Sequence, residues 1–437
     1  MLIKRNIRIY LFMSSLKNLK ILLIPNRVLN YDLIQLEDIK VAFSKFNVDA
    51  HIFTLEYSEN KIKSFLKDHS FDVIFAINKG KPLGLNKKIR FISWFQDFYY
   101  DSDNLLENYD QKDIVYFYAS PKSFGVTKNI NCFTTTLYPG IEPSSVSANL
   151  PNLNSNFNLV NEFQNLEFSI CGYMPSTILA PFFDLHFRNY DYKENHFIDE
   201  YFLEWSTNLT HKNENKYELD FWKLFMTDLQ IIVEANYEPL SGNIDVKFLE
   251  YKIKQRIKKN FKYPSSQIFK EWRTFFSTEY PRFLDRLVLA RLLSKHSYNF
   301  GLFGKEWINI LEFKDFSGKH IENQQELFEI YKKTKINLFN NTHGLGMHSK
   351  VIEIMANGGF LALPKSKKNS LVSGINEFFE ENEHFVTFTK ENFEDLINDW
   401  LMDTEKRVKV GKNARKTVIN EHTWEKRIKK ILRDLEK

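Results

Sequence analysis

The stretch THGLGMHSKVIEIMANGGFLALP, residues 342–364, sets two glycine pairs, one lysine and one glutamate between two strand-like runs. INLFNN (336–341) precedes it and reads as a strand, so the first glycine loop lies at a strand's carboxyl end, where open α/β sheets bind ligands. Gly344 and Gly346 let the backbone approach a ligand closely and reach positive φ. HSKVIEIMANG then reads as a helix with Ser349 near its start, where unpaired N–H groups and the helix dipole favour an anion. Lys350 adds a point charge suited to phosphate. Glu353 follows about one turn later, placed to accept hydrogen bonds from ribose hydroxyls. The combination points to a diphosphate-ribose site and hence to a nucleotide-activated substrate. Each residue also has a plain structural use: glycines in turns, a solvated lysine, a glutamate paired with a basic neighbour.

Working outward, the same strand–helix rhythm extends along most of the chain. LKILLIP (19–25), DAHIFTL, FDVIFAI, IRFISWF, DIVYFYAS and CFTTTLYP read as strands, with amphipathic helices at YDLIQLEDIKVAFSKFN (31–47) and ENKIKSFLKDH. Such alternation predicts a parallel, doubly wound sheet. A Pro-, Ser- and Asn-rich stretch marks residues 141–165 as a linker. LEFSICGYM (166–174) opens a second domain, and YNFGLFG (298–304), INLFNN, GFLALP and HFVTF (384–388) continue it. Between them, residues from about 180 to 297 carry charged amphipathic runs and almost no strand signal, which predicts a helical insertion. The expected organisation is therefore a leader of doubtful status at 1–13, an N-terminal Rossmann-like domain at 14–140, the linker, a C-terminal Rossmann-like domain at 166–415, and a closing helix at 416–437 that crosses back to the first domain.

Composition narrows the function classes. The 437 residues are too many for one ordinary core, and 60 basic against 55 acidic residues leave a net charge of only +5, which argues against nucleic acid as a partner. Cys132 and Cys171 cannot build a disulfide framework, so a reducing, cytoplasmic compartment is expected. The apolar part of MLIKRNIRIYLFMSSL is too short for a secretory signal, and no run reaches the roughly 18 apolar residues of a membrane span. The 41 phenylalanines, alongside much Lys, Asn and Ile, are read as codon bias rather than as a binding surface.

Further candidates lie outside the central loop. Trp94, Gln96 and Asp97 follow the fourth strand, again on the ligand-binding edge, and mark an acceptor side. Asp97 is a candidate base for an acceptor hydroxyl if the reaction inverts, or orients the acceptor if it retains; its structural alternative is a helix or turn cap. His343 and His348 stand five apart across the glycine turn, where a positive imidazole would stabilise charge on phosphate or leaving group. No third Cys or acid stands near them, so no metal site is expected. His422 reads as a tether for the last helix. The basic run KFLEYKIKQRIKKNFKY (247–263) and the basic C-terminus are solvated faces or contacts to an anionic surface such as the inner face of a membrane.

These motifs resemble a known family. The order G-x-G, basic residue, x-x-Glu, Gly-Gly and a strand looks like the nucleotide-sugar loop of GT-B glycosyltransferases of group 1, closest to the CgeB-like spore-maturation type. EHTWEKRIKKIL (421–432) resembles its closing helix, FGLFGKEW (300–307) its strand-Gly-x-x-Trp element, and SWFQDFYYD (93–101) its Trp-x-Gln-Asp segment. FSICGYM resembles its first C-domain strand, and LYPGIEP its closing Pro-Gly turn. The resemblance implies two Rossmann-like domains facing a cleft and a transfer from a nucleoside-diphosphate sugar, a co-substrate rather than a cofactor, to a glycan, lipid-linked or protein acceptor. No acidic DxD-type motif stands on a predicted strand end, so the transfer is expected to be metal-independent. The resemblance also implies that Glu353 holds ribose and that Gly346, Ser349 and Lys350 hold the diphosphate, with Gly304 and Lys305 beside them; His343 and Gly344 share the donor loop. The chain departs at Leu345, where many retaining members carry a second acid. A nucleotide-sugar epimerase and a non-catalytic nucleotide-sugar-binding protein remain alternatives on the same fold.

Overall fold

The computed structural model describes residues 19–96, 106–119, 121–124, 126, 130–146, 166–174, 232–233, 235–242, 245–260, 280–318, 320–321, 323–340 and 347–437. The apolar runs of the first third become β1 Lys20–Ile24, β2 Asp49–Ile52, β3 Val73–Ile77, β4 Arg90–Phe95, β5 Ile114–Phe117 and β6 Phe133–Thr136. They pair in parallel, in the order β2-β1-β3-β4-β5-β6. The inner strands β3 and β5 are buried at every residue, so they read as unbroken apolar runs rather than as alternating ones. Helices α1 (Asn30–Ser44) and α2 (Glu59–Asp68) connect the first three strands. Ser58 caps α2 by accepting the Lys61 N–H at 3.2 Å.

The second sheet contains β7 Phe168–Cys171, β8 Phe300–Phe303, β9 Ile336–Leu338, β10 Leu361–Pro364 and β11 Val386–Phe388, all parallel, in the order β11-β10-β9-β7-β8. Each strand-like run named from the sequence falls on one of these strands. Helices of this half are α3 Val246–Asn260, α4 Tyr280–Lys295, α5 Gln324–Lys333, α6 Ser349–Ala356, α7 Phe393–Met402 and α8 Thr404–Glu421. One buried polar rung fixes the register of β7 on β9: Ser169 faces Asn337, and its hydroxyl donates to Asn337 Oδ1 at 2.9 Å. Asn337 Nδ2 then donates to the Tyr331 carbonyl at 3.0 Å, so the rung is satisfied on both sides.

Two expected boundaries move. The helical insertion does not run to 297, because α4 is the domain's own helix: Phe283, Leu287, Leu289, Ala290 and Leu293 are buried in one core with Phe168 and Leu302 of the sheet. The closing helix does not start at 416 either. Helix α8 continues to Glu421, and the chain breaks at His422–Thr423 before α9 (Trp424–Asp434). The 1–13 leader, most of the linker and residues 180–231 lie outside the described residues.

The break sends α9 into the first domain, where Trp424, Ile428, Ile431 and Leu432 join the core of the six-stranded sheet. Trp424 meets Trp94 edge to face, with centroids 5.5 Å apart. Where the chain leaves, it touches where the chain first crossed: Ile141 N donates to the His422 carbonyl and Trp424 N to the Ile141 carbonyl, both at 3.0 Å. Gly140 is required there, since a Cβ would stand 2.7 Å from Trp424 N. Arg427 Nε donates to the carbonyls of Tyr138 and Pro139 at 3.1 and 3.3 Å. The LYPGIEP and EHTWEKR motifs are thus two sides of one crossing. Trp424→Ala is expected to cost about 3–5 kcal/mol and to lower the urea midpoint followed by circular dichroism. A midpoint equal to wild type would show that α9 is not a core element of the first domain.

Candidate functional site

The site grows from helix α6 at the carboxyl ends of β7, β8 and β9. His348 caps the helix: its Nδ1 accepts the Lys350 N–H at 3.1 Å. Burial, with Lys350 and then Arg282 and Arg286 nearby, pushes the imidazole down to about 3. His348 is therefore neutral and, with Nδ1 accepting, carries its hydrogen on Nε2. Burial beside fixed cations thus opposes the positive imidazole expected at this position. At the other end Gly358 (φ +73°) stops the helix, and the Arg415 guanidinium binds the Ala356 carbonyl.

Three cations gather above β7. Lys350 Nζ donates to the Cys171 carbonyl at 2.8 Å. Arg286, on α4, donates through Nη1 to the Tyr173 carbonyl and through Nε to Asn340 Oδ1 at 3.2 Å. Arg282, one turn earlier, bonds the Tyr173 hydroxyl, and both guanidiniums lie over the Tyr173 ring at 5.1 and 5.2 Å. Carbonyls at and just beyond the strand end thus position Lys350 and Arg286, and burial pulls the Lys350 ammonium below its ordinary value. Gly304 holds the next strand close: its φ is +152°, and a Cβ would lie 2.3 Å from the Gly172 carbonyl. Gly172 faces the Arg286 guanidinium: a Cβ there would lie 2.6 Å from Nη2 and would push that side chain aside.

Glu353 sits at the heart of this arrangement, 5% exposed, with Oε2 buried and without a partner. Burial raises its carboxyl, while Lys350 and a hydrogen bond from Tyr31 oppose that rise. Tyr31 comes from the other domain, from the first turn of α1. Its hydroxyl hydrogen-bonds with Ser349 Oγ at 2.9 Å and Glu353 Oε1 at 3.3 Å. Further along α1, Asp38 is raised from 3.8 to about 7 by burial, then by Glu142 and Glu353, with Lys45 opposing. Lys45 Nζ closes the seam by binding both oxygens of Glu142, at 2.8 and 2.9 Å.

The structure brings together His348, Ser349, Lys350, Glu353 and Gly304 of the residues named from the sequence. Lys305 is exposed beside Gly304. Asp97, His343, Gly344, Leu345 and Gly346 lie outside the described residues. Gln96 stands on the carboxyl edge of β4, its Nε2 donating to Gln35 Oε1 at 3.2 Å and its backbone N–H to Asn78 Oδ1 at 2.7 Å. Trp94 is not an acceptor-side residue: it is wholly buried, its indole N–H donating to the Leu137 carbonyl at 2.8 Å. Its side chain turns away from the edge that Gln96 occupies and into the core beneath α9. Sequence reasoning misses Tyr31, Asp38, Arg282 and Arg286. YPRFLDRL does place two arginines four apart, one helical face, but nothing in the sequence says that the face meets β7.

Comparison with known proteins bears on the same region. Residues 278–433 match a family model described as Glycosyl transferase-like. That segment begins just before α4 and ends in α9, so it contains Arg282, Arg286 and all of α6. No curated protein matches the sequence. Among solved structures, an alpha-glucosyltransferase in complex with UDP and a 13-mer DNA containing a central A:G mismatch aligns with a TM-score of 0.50 at 8% identity, over 96% of this chain and 100% of that one. HepE of Anabaena in complex with UDP-glucose aligns with a TM-score of 0.48 at 10% identity, again over 96% and 100%. At such identities the likeness concerns the fold, which is GT-B: two Rossmann-like domains that meet at Tyr31 and Glu353.

The Asp38 carboxyl provides a pH signature of the seam. Its folded value lies above its ordinary one, so the folded protein holds this proton more tightly, and the resulting stability is lost as pH rises from 3.8 through about 7. Asp38→Asn keeps the shape and removes the charge. Its melting temperature should exceed wild type above pH 7, and the gain should shrink as pH falls toward 3.8. A gain independent of pH would show that the Asp38 carboxyl is neither desolvated nor close to Glu142 and Glu353.

Proposed function

We propose that the chain is a glycosyltransferase that moves a sugar from a nucleoside-diphosphate sugar to an acceptor hydroxyl. The observation that carries this reading is Glu353: a buried carboxylate with an unpartnered oxygen, one turn inside a helix whose start stands beside Lys350, Arg286 and Arg282. The Glycosyl transferase-like match over residues 278–433 supports it independently. Glu353 would take the ribose hydroxyls. Lys350, the two arginines and the N-terminal N–H groups of α6 would meet the diphosphate, where negative charge grows as the sugar leaves. The neutral His348 would add an Nε2–H donor rather than a charge. Cations supplied by the chain itself support metal-independent catalysis, and activity should survive a chelator.

The finer assignments rest on the motifs. EHTWEKR and the loop around Glu353 support the CgeB-like type, within bacterial surface-glycan or protein glycosylation. Two reduced cysteines support a cytoplasmic location. Among the described residues no helix is long and apolar enough to cross a membrane. Gln96, hydrogen-bonded to Gln35 on the facing edge of the first domain, marks the acceptor side, with Asp97 beside it in sequence. The UDP held by the alpha-glucosyltransferase neighbour makes uridine the first base to test.

Glu353→Ala should weaken UDP binding by about 10- to 100-fold, the scale of hydrogen bonds to a charged group, while circular dichroism and thermal melting show an intact fold. Unchanged UDP affinity by calorimetry would sink the ribose assignment.

A further inference from the structure

Tyr31 is a contact that the proposed reaction does not use. It belongs to the first domain, yet its hydroxyl engages Ser349 and Glu353, the two α6 side chains assigned to the donor. Core packing does not demand this place, because the residue is 46% exposed. Glu353 Oε2 is shut off from solvent and Oε1 holds the Tyr31 hydroxyl, so a ligand reaches the carboxyl group only once Tyr31 has moved aside.

We propose that Tyr31 is a latch between the domains, whose hydroxyl stands where a ribose hydroxyl of the donor would stand, so that donor and Tyr31 exclude one another. This rests on the ribose reading of Glu353. The latch is tied into its own domain. Asp32 Oδ2 accepts the Arg27 N–H at 2.9 Å, coupling the β1–α1 loop to the first turn of α1, and Gln35 one turn further carries Gln96. Displacing Tyr31 therefore releases the acceptor-side edge from α6 at the moment the donor is seated. By linkage, the free energy that holds Tyr31 on Glu353 is subtracted from donor binding, and the donor loosens the domain contact to the same extent.

Tyr31→Phe keeps the ring and removes only the hydroxyl. It should bind UDP about three- to tenfold more tightly than wild type, the opposite sign from Glu353→Ala. In wild type, amide exchange in the first turn of α1 should speed up when UDP is added, and in Tyr31→Phe it should be fast without it. Equal or weaker UDP binding by Tyr31→Phe overturns the latch while leaving the donor reading intact, as does slower exchange in α1 on adding UDP. No UDP binding by wild type or either variant overturns the donor reading, and the latch with it.

Discussion

The chain crosses between its two domains twice, and the rest of the structure depends on those crossings being bonded to each other. Ile141 exchanges backbone hydrogen bonds with His422 and Trp424, Gly140 makes room for the approach, and Arg427 binds the carbonyls just before it. His422, held neutral by burial, lies against Phe378 and Phe379 and takes a hydrogen bond from Arg427 at 2.8 Å. A hinge made only of solvated linker would leave the two ligand-binding edges uncorrelated. Pinning both strands of the hinge brings α1 of one domain onto α6 of the other, and the seam of Tyr31, Asp38 and Lys45 follows from it.

Within the second domain the organising feature is the carboxyl end of β7. The carbonyls of Cys171 and Tyr173, at and just past that end, take Lys350 and Arg286. Lys350 is thereby oriented by an uncharged dipole, and its charge stays available to an anion. Glu353 lies one turn deeper, where desolvation keeps its carboxyl raised and its second oxygen unpartnered. A buried carboxylate close to a buried ammonium is costly for folding and useful for a ligand carrying both hydroxyls and phosphate.

Much of this is legible in the sequence. Parallel strands buried on both faces leave dense apolar runs, so each strand of both sheets can be read from runs such as FDVIFAI and GFLALP. The α6 loop is legible because glycines, a lysine and a lone glutamate at helical spacing have few joint uses. Helix α4 reads as insertion because it ends a long stretch of charged amphipathic runs with almost no strand signal. In the fold, Arg282 and Arg286 lie against Tyr173 just past the end of β7, where Lys350 also reaches. Trp94 reads as an acceptor-side residue because position along a strand does not reveal which face its side chain takes.

The sequence by itself determined the two parallel sheets, the helix that begins at Ser349 and the acid one turn inside it. Those are local matters of periodicity, capping and glycine placement, written within a few dozen residues. Only the tertiary structure decided that Arg282 and Arg286 join Lys350, that Tyr31 rests on Glu353, and that His348 is neutral. Each of those depends on residues tens to hundreds of positions apart and on how deeply they are buried, and one-dimensional order encodes neither in a form that local rules can read.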